Sequence, residues 1–229
     1  MLLLPIVLFA AQGPGGQIAD PVEFRRPIVQ LLEAEWPNNR TVTIVCHGHS
    51  VPAGYARTPE VRPFDAYPFL LHQAISAKYS HAVVNVIVTA IGGEASEAGA
   101  ARFERDVMSL HPDVVTIDYA LNDRGLGLER SRAAWVKMIE MATKGGAKVI
   151  LMTPSWDQTP GSEDLLQKHA AQIRELAAQY HVGLADSLAA FLDARKAGTD
   201  LASLMAQSNH PNRAGHELIL RGLLPWFGL

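Results

Sequence analysis

TVTIVCHGHSVPAGY, residues 41–55, holds a strand and the turn that leaves it. Thr41 to Cys46 is short, apolar and rich in β-branched side chains, as expected of a strand buried on both faces. Val83 to Thr89, Asp113 to Tyr119, Lys148 to Thr153 and Val182 to Asp186 repeat that signature. Between and around them lie helical patterns: Phe24 to Trp36, Phe69 to Tyr79, Ala98 to Leu110, Leu128 to Thr143, Ser162 to Tyr180, and a last one from Arg213 to Trp226. Pro37-Asn38-Asn39 closes the first and Gly145-Gly146 stops the fourth. Five apolar strands alternating with helices predict a five-stranded parallel sheet covered on both faces, an α/β fold in three α/β/α layers.

Composition agrees with one globular domain over residues 21–229. The chain has 229 residues, 48% hydrophobic and 19% charged, enough for a sizeable core. A formal net charge of −3 argues against a nucleic-acid partner, which needs a basic surface. No stretch reaches the ~20 apolar residues of a membrane span. The lone cysteine, Cys46, excludes an intrachain disulfide and reads as a buried strand residue. Residues 1–20 form a lead. Within it Met1 to Gln12 reads as the apolar core and cleavage zone of a secretory signal, although no basic residue precedes Arg25. A short apolar arm packed on the domain is the rival reading, with a cytoplasmic location; Gly13 to Pro21 is a flexible connection in either case.

In such folds the reactive groups gather at the carboxyl ends of the strands. The first strand leads to Gly48-His49-Ser50, where a serine at a turn can expose its hydroxyl. Serine alone is a poor nucleophile and needs a base. The second leads to Ile91-Gly92-Gly93-Glu94, where glycine lets a backbone N–H approach a ligand. The third leads to Leu121-Asn122-Asp123, where an amide can face a developing oxyanion. Near the C-terminus comes Asn209-His210-Pro211-Asn212, with His210 extended by the following proline and Asn212 able to cap the last helix. Each segment alone reads as an ordinary turn or cap; their order along the chain carries the signal.

Taken together, the four segments resemble the signature blocks of the SGNH hydrolases, the GDSL-type esterases and lipases, over about Thr41 to Phe227. The resemblance implies a flavodoxin-like sheet and a serine ester hydrolase without a cofactor or metal. Ser50 would be the nucleophile and His210 the base, with the N–H groups of Ser50 and Gly93 and the amide of Asn122 as the oxyanion hole. Two-step acyl transfer follows, and a carbohydrate ester, such as an acetylated polysaccharide, is the first expectation for substrate. Lipase, lysophospholipase or thioesterase chemistry is the alternative, and a catalytically dead carbohydrate-binding relative is another.

The chain departs from the family pattern at three positions. His49 stands where the family has Asp, and Ala120 where it has Gly. Gln207 stands three residues before His210, where the family keeps its carboxylate. A Ser50–His210 dyad is therefore expected, its ring held by the Gln207 amide oxygen or a backbone carbonyl; Asp186 or Glu94 reaching His210 is the rival, though Asp186 also reads as a helix cap. His47 and His49 invite a metal reading, but the usual zinc spacings are absent, and the histidines are expected to line the pocket or pack beneath it. A G-x-S-x-G elbow is disfavoured, since it needs a glycine where Pro52 stands and its serine normally follows later strands. His49, Arg124 and Trp156 are expected on the substrate rim, the latter two through bidentate bonding or stacking to a sugar.

Overall fold

The computed structural model describes residues 16–229; the apolar run at 1–12 lies outside the described residues. Strands β1 (Thr41–Gly48), β2 (Val83–Val88), β3 (Val114–Asp118), β4 (Lys148–Met152) and β5 (Gly183–Ala185) form one parallel sheet in the order β2-β1-β3-β4-β5. The helices are α1 (Pro21–Glu33), α2 (Ser50–Ala53), α3 (Tyr67–Lys78), α4 (Ser96–Asp106), α5 (Leu128–Lys144), α6 (Glu163–Tyr180), α7 (Ser187–Lys196) and α8 (Arg213–Leu223). None of the described helices is long and apolar enough to cross a membrane.

Strand alternation sorts the core into two layers. Val42, Ile44 and Cys46 face one side, where Phe24, Ile28 and Leu32 of α1, Leu71 and Ile75 of α3, Phe191 of α7 and Ile219 of α8 bury them. Val45, Val115, Ile117 and Tyr119 face the other, against Phe103 of α4, Trp135 and Ile139 of α5, and Ile173 of α6. This is the expected three-layer sandwich. Burial pushes the Cys46 thiol up to about 12, so it stays a neutral packing group.

The differences from expectation lie at element ends. α1 stops at Glu33, and Trp36 is 84% exposed rather than on the apolar stripe. The residue before a proline avoids helical geometry, and Pro37 follows it. The last helix ends at Leu223 and a short 3-10 turn follows, because Pro225 has no N–H to continue the ladder. Helix α7 was not legible as a separate helix. Its cap was, since the Asp186 carboxylate accepts from Ala189 N at 3.1 Å.

The strand order places β2 and β3 on opposite sides of β1. The chain therefore reverses its direction of travel across the sheet there, which opens a crevice at the carboxyl ends of these strands. A second pairing, β6 (Met205–Gln207) with β7 (His210–Pro211), is antiparallel and carries the C-terminal histidine.

Candidate active site

β1 ends at Gly48 because two backbones and a proline ring meet there. A Cβ on Gly48 would lie 2.5 Å from Asp118 O and 2.7 Å from the Pro52 ring. The chain then turns directly into α2, with His49 as its N-cap: Nδ1 accepts from Val51 N at 3.3 Å. Ser50 is the first helical residue, so its N–H belongs to the turn that a helix leaves unpaired. Gly54, at φ +86°, ends the helix in the left-handed region.

Ser50 Oγ lies 3.0 Å from His210 Nε2, across 160 positions of sequence. His210 Nδ1 lies 3.0 Å from the Ala56 carbonyl oxygen. A carbonyl can only accept, so the proton sits on Nδ1 and Nε2 offers its lone pair to the serine. Burial lowers the His210 pKa, the Ala56 carbonyl opposes this, His49 adds to the lowering and Asp157 resists it. The net direction keeps the ring neutral, with Nε2 free to accept a proton. Behind it, Asn212 caps α8 as expected, accepting from Gly215 N at 3.2 Å, and its amide donates to Ser203 O at 2.8 Å.

Of the partners considered for the ring, a backbone carbonyl is the one present. Gln207 is corrected: its amide oxygen accepts from Thr58 N at 2.8 Å and so ties down the loop that carries Ala56. Asp186 is held by Arg174 at 2.7 Å and by Thr153 Oγ1 at 2.9 Å, besides capping α7. Glu94 is held by Arg102 and by the Tyr119 hydroxyl at 2.9 Å.

In the turn that follows β2, Gly93 has φ +79° and open space where a Cβ would stand. Its N–H has no hydrogen bond among the described residues. The Asn122 amide donates one hydrogen to Glu94 O at 2.9 Å, which leaves the other available. Glu94 thus links both groups, following Gly93 in the chain and holding Asn122 through its carbonyl. Its carboxylate is anchored in a network that the sequence did not reveal. Arg102 Nε meets both oxygens at 3.0 Å, and Tyr119 OH joins Glu94 to His47 Nε2, 3.0 Å away. His47 Nδ1 lies 2.8 Å from Thr89 Oγ1, and burial pushes the ring down to about 4. His47 therefore packs beneath the site, one of the two roles expected of it.

The rim expectations change. His49 is 1% exposed and lies against Ser50 Oγ at 3.3 Å, so it is no surface contact for a substrate. Arg124 is directed inward, donating to Leu121 O at 2.7 Å and pairing with Asp157 at 2.7 Å. Trp156 is partly buried, and the Arg195 guanidinium lies 5.1 Å from its ring centroid, covering a face offered to a sugar. Tyr55 lies beside His210. Its ring centroid is 5.8 Å from that of His210, and a Cβ on Gly92 would strike it at 2.7 Å.

The chain was compared with known proteins. A family model described as GDSL-like Lipase/Acylhydrolase matches residues 46–218. No curated protein matches the chain. Among solved structures, a catalytic mutant of Axe2, an acetylxylan esterase from Geobacillus stearothermophilus, superposes with TM-score 0.73 at 20% identity over 86% of this chain and 97% of that one. Axe2 itself gives 0.69 at 22% identity over 82% and 94%. A two-domain esterase active on acetylated mannans, co-crystallised with mannopentaose, gives 0.72 at 20% identity; the match covers 90% of this chain and 54% of that one.

Proposed function

The chain belongs to the GDSL-like lipase/acylhydrolase family and is a carboxylic ester hydrolase; on that premise we propose that it removes acetyl groups from a carbohydrate by a Ser50–His210 acyl-enzyme mechanism. One observation carries the mechanism: a serine hydroxyl 3.0 Å from an imidazole nitrogen whose other nitrogen is committed to a carbonyl. Ser50 attacks the ester carbonyl while His210 Nε2 takes its proton. The N–H groups of Ser50 and Gly93 and the free hydrogen of the Asn122 amide stabilise the oxyanion. His210 then protonates the leaving alcohol, and water repeats the sequence on the acyl-enzyme.

Without a carboxylate behind it, the imidazolium gains only a carbonyl dipole. The transition state is less stabilised than in a full triad, and tautomer and orientation are still secured. The carbohydrate substrate is supported by the structural neighbours, whose names record activity on acetylated xylan and mannan. The apolar run at Met1 to Gln12 suits an exported enzyme meeting such a polymer.

Hydrolysis of nitrophenyl acetate by wild type and Ser50→Ala tests the mechanism, together with labelling of Ser50 by an organophosphonate. Hydrolysis retained in Ser50→Ala, or no labelling, overturns it. A chain-length series of nitrophenyl esters beside acetylated oligosaccharides tests the substrate. A preference for long acyl chains overturns the acetyl-carbohydrate assignment.

A further inference from the structure

Two imidazole nitrogens stand within reach of the Ser50 hydroxyl. Besides His210 Nε2 at 3.0 Å, His49 Nδ1 lies 3.3 Å from Ser50 Oγ. Because that nitrogen accepts from Val51 N–H, it carries a lone pair, and the neutral ring bears its proton on Nε2. Nε2 lies 3.4 Å from Asp118 Oδ1, too poorly aligned for a hydrogen bond, and has no other partner among the described residues. Both side chains are almost wholly buried, 1% and 5% exposed. The carboxylate is fixed in turn, since the Tyr67 hydroxyl donates to its other oxygen at 3.3 Å and the Asp118 carbonyl accepts from His49 N at 3.2 Å.

Carboxylate, imidazole and hydroxyl thus follow one another, with the ring nitrogens in the reverse order to those of His210. A neutral His49 uses the Asp118 contact poorly. A ring that had gained a proton on Nδ1 would be a cation with a carboxylate beside its other N–H, in a site where water does not screen the attraction. The geometry places that carboxylate 3.4 Å from the ring nitrogen opposite the one facing Ser50.

Resting on the reading of Ser50 as nucleophile, we propose that His49, backed by Asp118, is a second catalytic base for Ser50. The Oγ–H bond breaks and its proton passes to His49 Nδ1, while the Oγ electron pair forms the bond to the ester carbonyl carbon. The carbonyl π pair moves onto the oxyanion, and Val51 N–H loses its acceptor; the oxyanion then re-forms the carbonyl as the C–O bond to the leaving group breaks and its pair departs with that group. When water cleaves the acyl-enzyme, Oγ takes the proton back from Nδ1 and the proton of the attacking water goes to solvent. His210 remains the better placed base, being closer and free of a competing donor. His49, buried behind Ser50, does not deliver a proton to the leaving alcohol. The second base therefore serves esters whose leaving group departs as an anion.

The test removes His210 first. His210→Ala should keep hydrolysing nitrophenyl acetate about tenfold or more above Ser50→Ala, a modest share of the usual contribution of a general base, and should lose activity on an alkyl acetate. His49→Asn keeps a side-chain oxygen able to cap α2 but no basic nitrogen. Added to His210→Ala, it should bring the aryl ester rate down to that of Ser50→Ala. Asp118→Asn in the same background makes a second, independent test and should also lower the residual rate. A His210→Ala rate already equal to that of Ser50→Ala, or one that neither addition reduces, overturns the proposal. Activity retained in Ser50→Ala overturns the nucleophile assignment instead.

Discussion

Thr58 N–H donates to the Gln207 amide oxygen at 2.8 Å, and this bond joins the position where a triad acid would stand to the loop that replaces it. Two residues before Thr58, the Ala56 carbonyl holds His210 Nδ1 at 3.0 Å. Gln207 acts on the histidine through that loop.

Gln207→Asp should weaken the Thr58 bond, because its carboxylate ends one methylene short of the Gln207 amide oxygen. Turnover of nitrophenyl acetate should stay the same or fall, whereas Gln207→Ala should lower kcat by up to about tenfold through a looser Ala56 carbonyl, one hydrogen bond of ~1 kcal/mol being at stake. A large gain in kcat for Gln207→Asp would mean that the new carboxylate reaches the ring and that the wild type is an impaired triad.

With His210 as the proposed base, its lowered pKa should set the acid limb of the rate profile. Burial is its main cause, so the neutral, proton-accepting ring persists below the ordinary histidine range. A plot of kcat/KM against pH for an activated ester should stay level on falling to about 6.5 and decline only below it. An acid limb centred above that value would contradict the assignment.

Two buried histidines predict loss of stability in mild acid. His216 is pushed down to about 3 and His47 to about 4, in both cases chiefly by burial. Unfolded, each titrates near 6.5. Between those values the unfolded chain binds more protons, so the stability present above about 6.5 is lost as pH falls, by about 1.4 kcal/mol per pH unit for each ring. Urea midpoints between pH 7 and pH 5 should drop, and less so in His216→Asn after correction for its own destabilisation. A flat profile would show that these rings are not neutral in the fold.

The oxyanion donors should separate by mechanism. Asn122→Ala should lower kcat by ~10²-fold or more, the worth of one donor, with little change in KM. Gly93→Ala meets no steric obstacle, yet at φ +79° it strains the backbone by about 1–2 kcal/mol and re-aims its N–H. Its kcat should fall while the fold persists. Unchanged turnover in either variant removes that residue from the site.

Much of the fold was legible in local patterns. Runs of β-branched residues marked all five strands to within about two residues of their ends, and Asp186 and Asn212 were readable as caps because capping is a contact between near neighbours. Trp36 was misplaced because an apolar residue at helical spacing looks the same one turn beyond the helix end. Helix α7 was missed because only Leu188 and Phe191 of its apolar residues are fully buried, leaving a weak helical stripe. The candidate site was legible as an order of motifs: Ser50, Gly93, Asn122 and His210 each follow a strand or precede a helix in recognisable composition.

Their chemical partners were not legible. His49 read equally well as a rim residue and became a buried cap against the nucleophile; Arg124 and Trp156 read as free for a sugar and are met by Asp157 and Arg195. Glu94 was legible only as a rival acid for His210, a role it does not fill, and Arg102, Tyr119 and Asp118 carried no signal as its partners or His49's. A residue's neighbours one to four positions away follow from backbone periodicity, and these set the strands, the caps and the candidates. Contacts such as Ser50 with His210, or Thr58 with Gln207, span about 150 positions or more and exist only once the sheet order has brought separate loops to one crevice. Residues 41–55 thus announced a candidate nucleophile at a strand end. The packing around them decided which carbonyl faces His210 and which carboxylate stands beside His49.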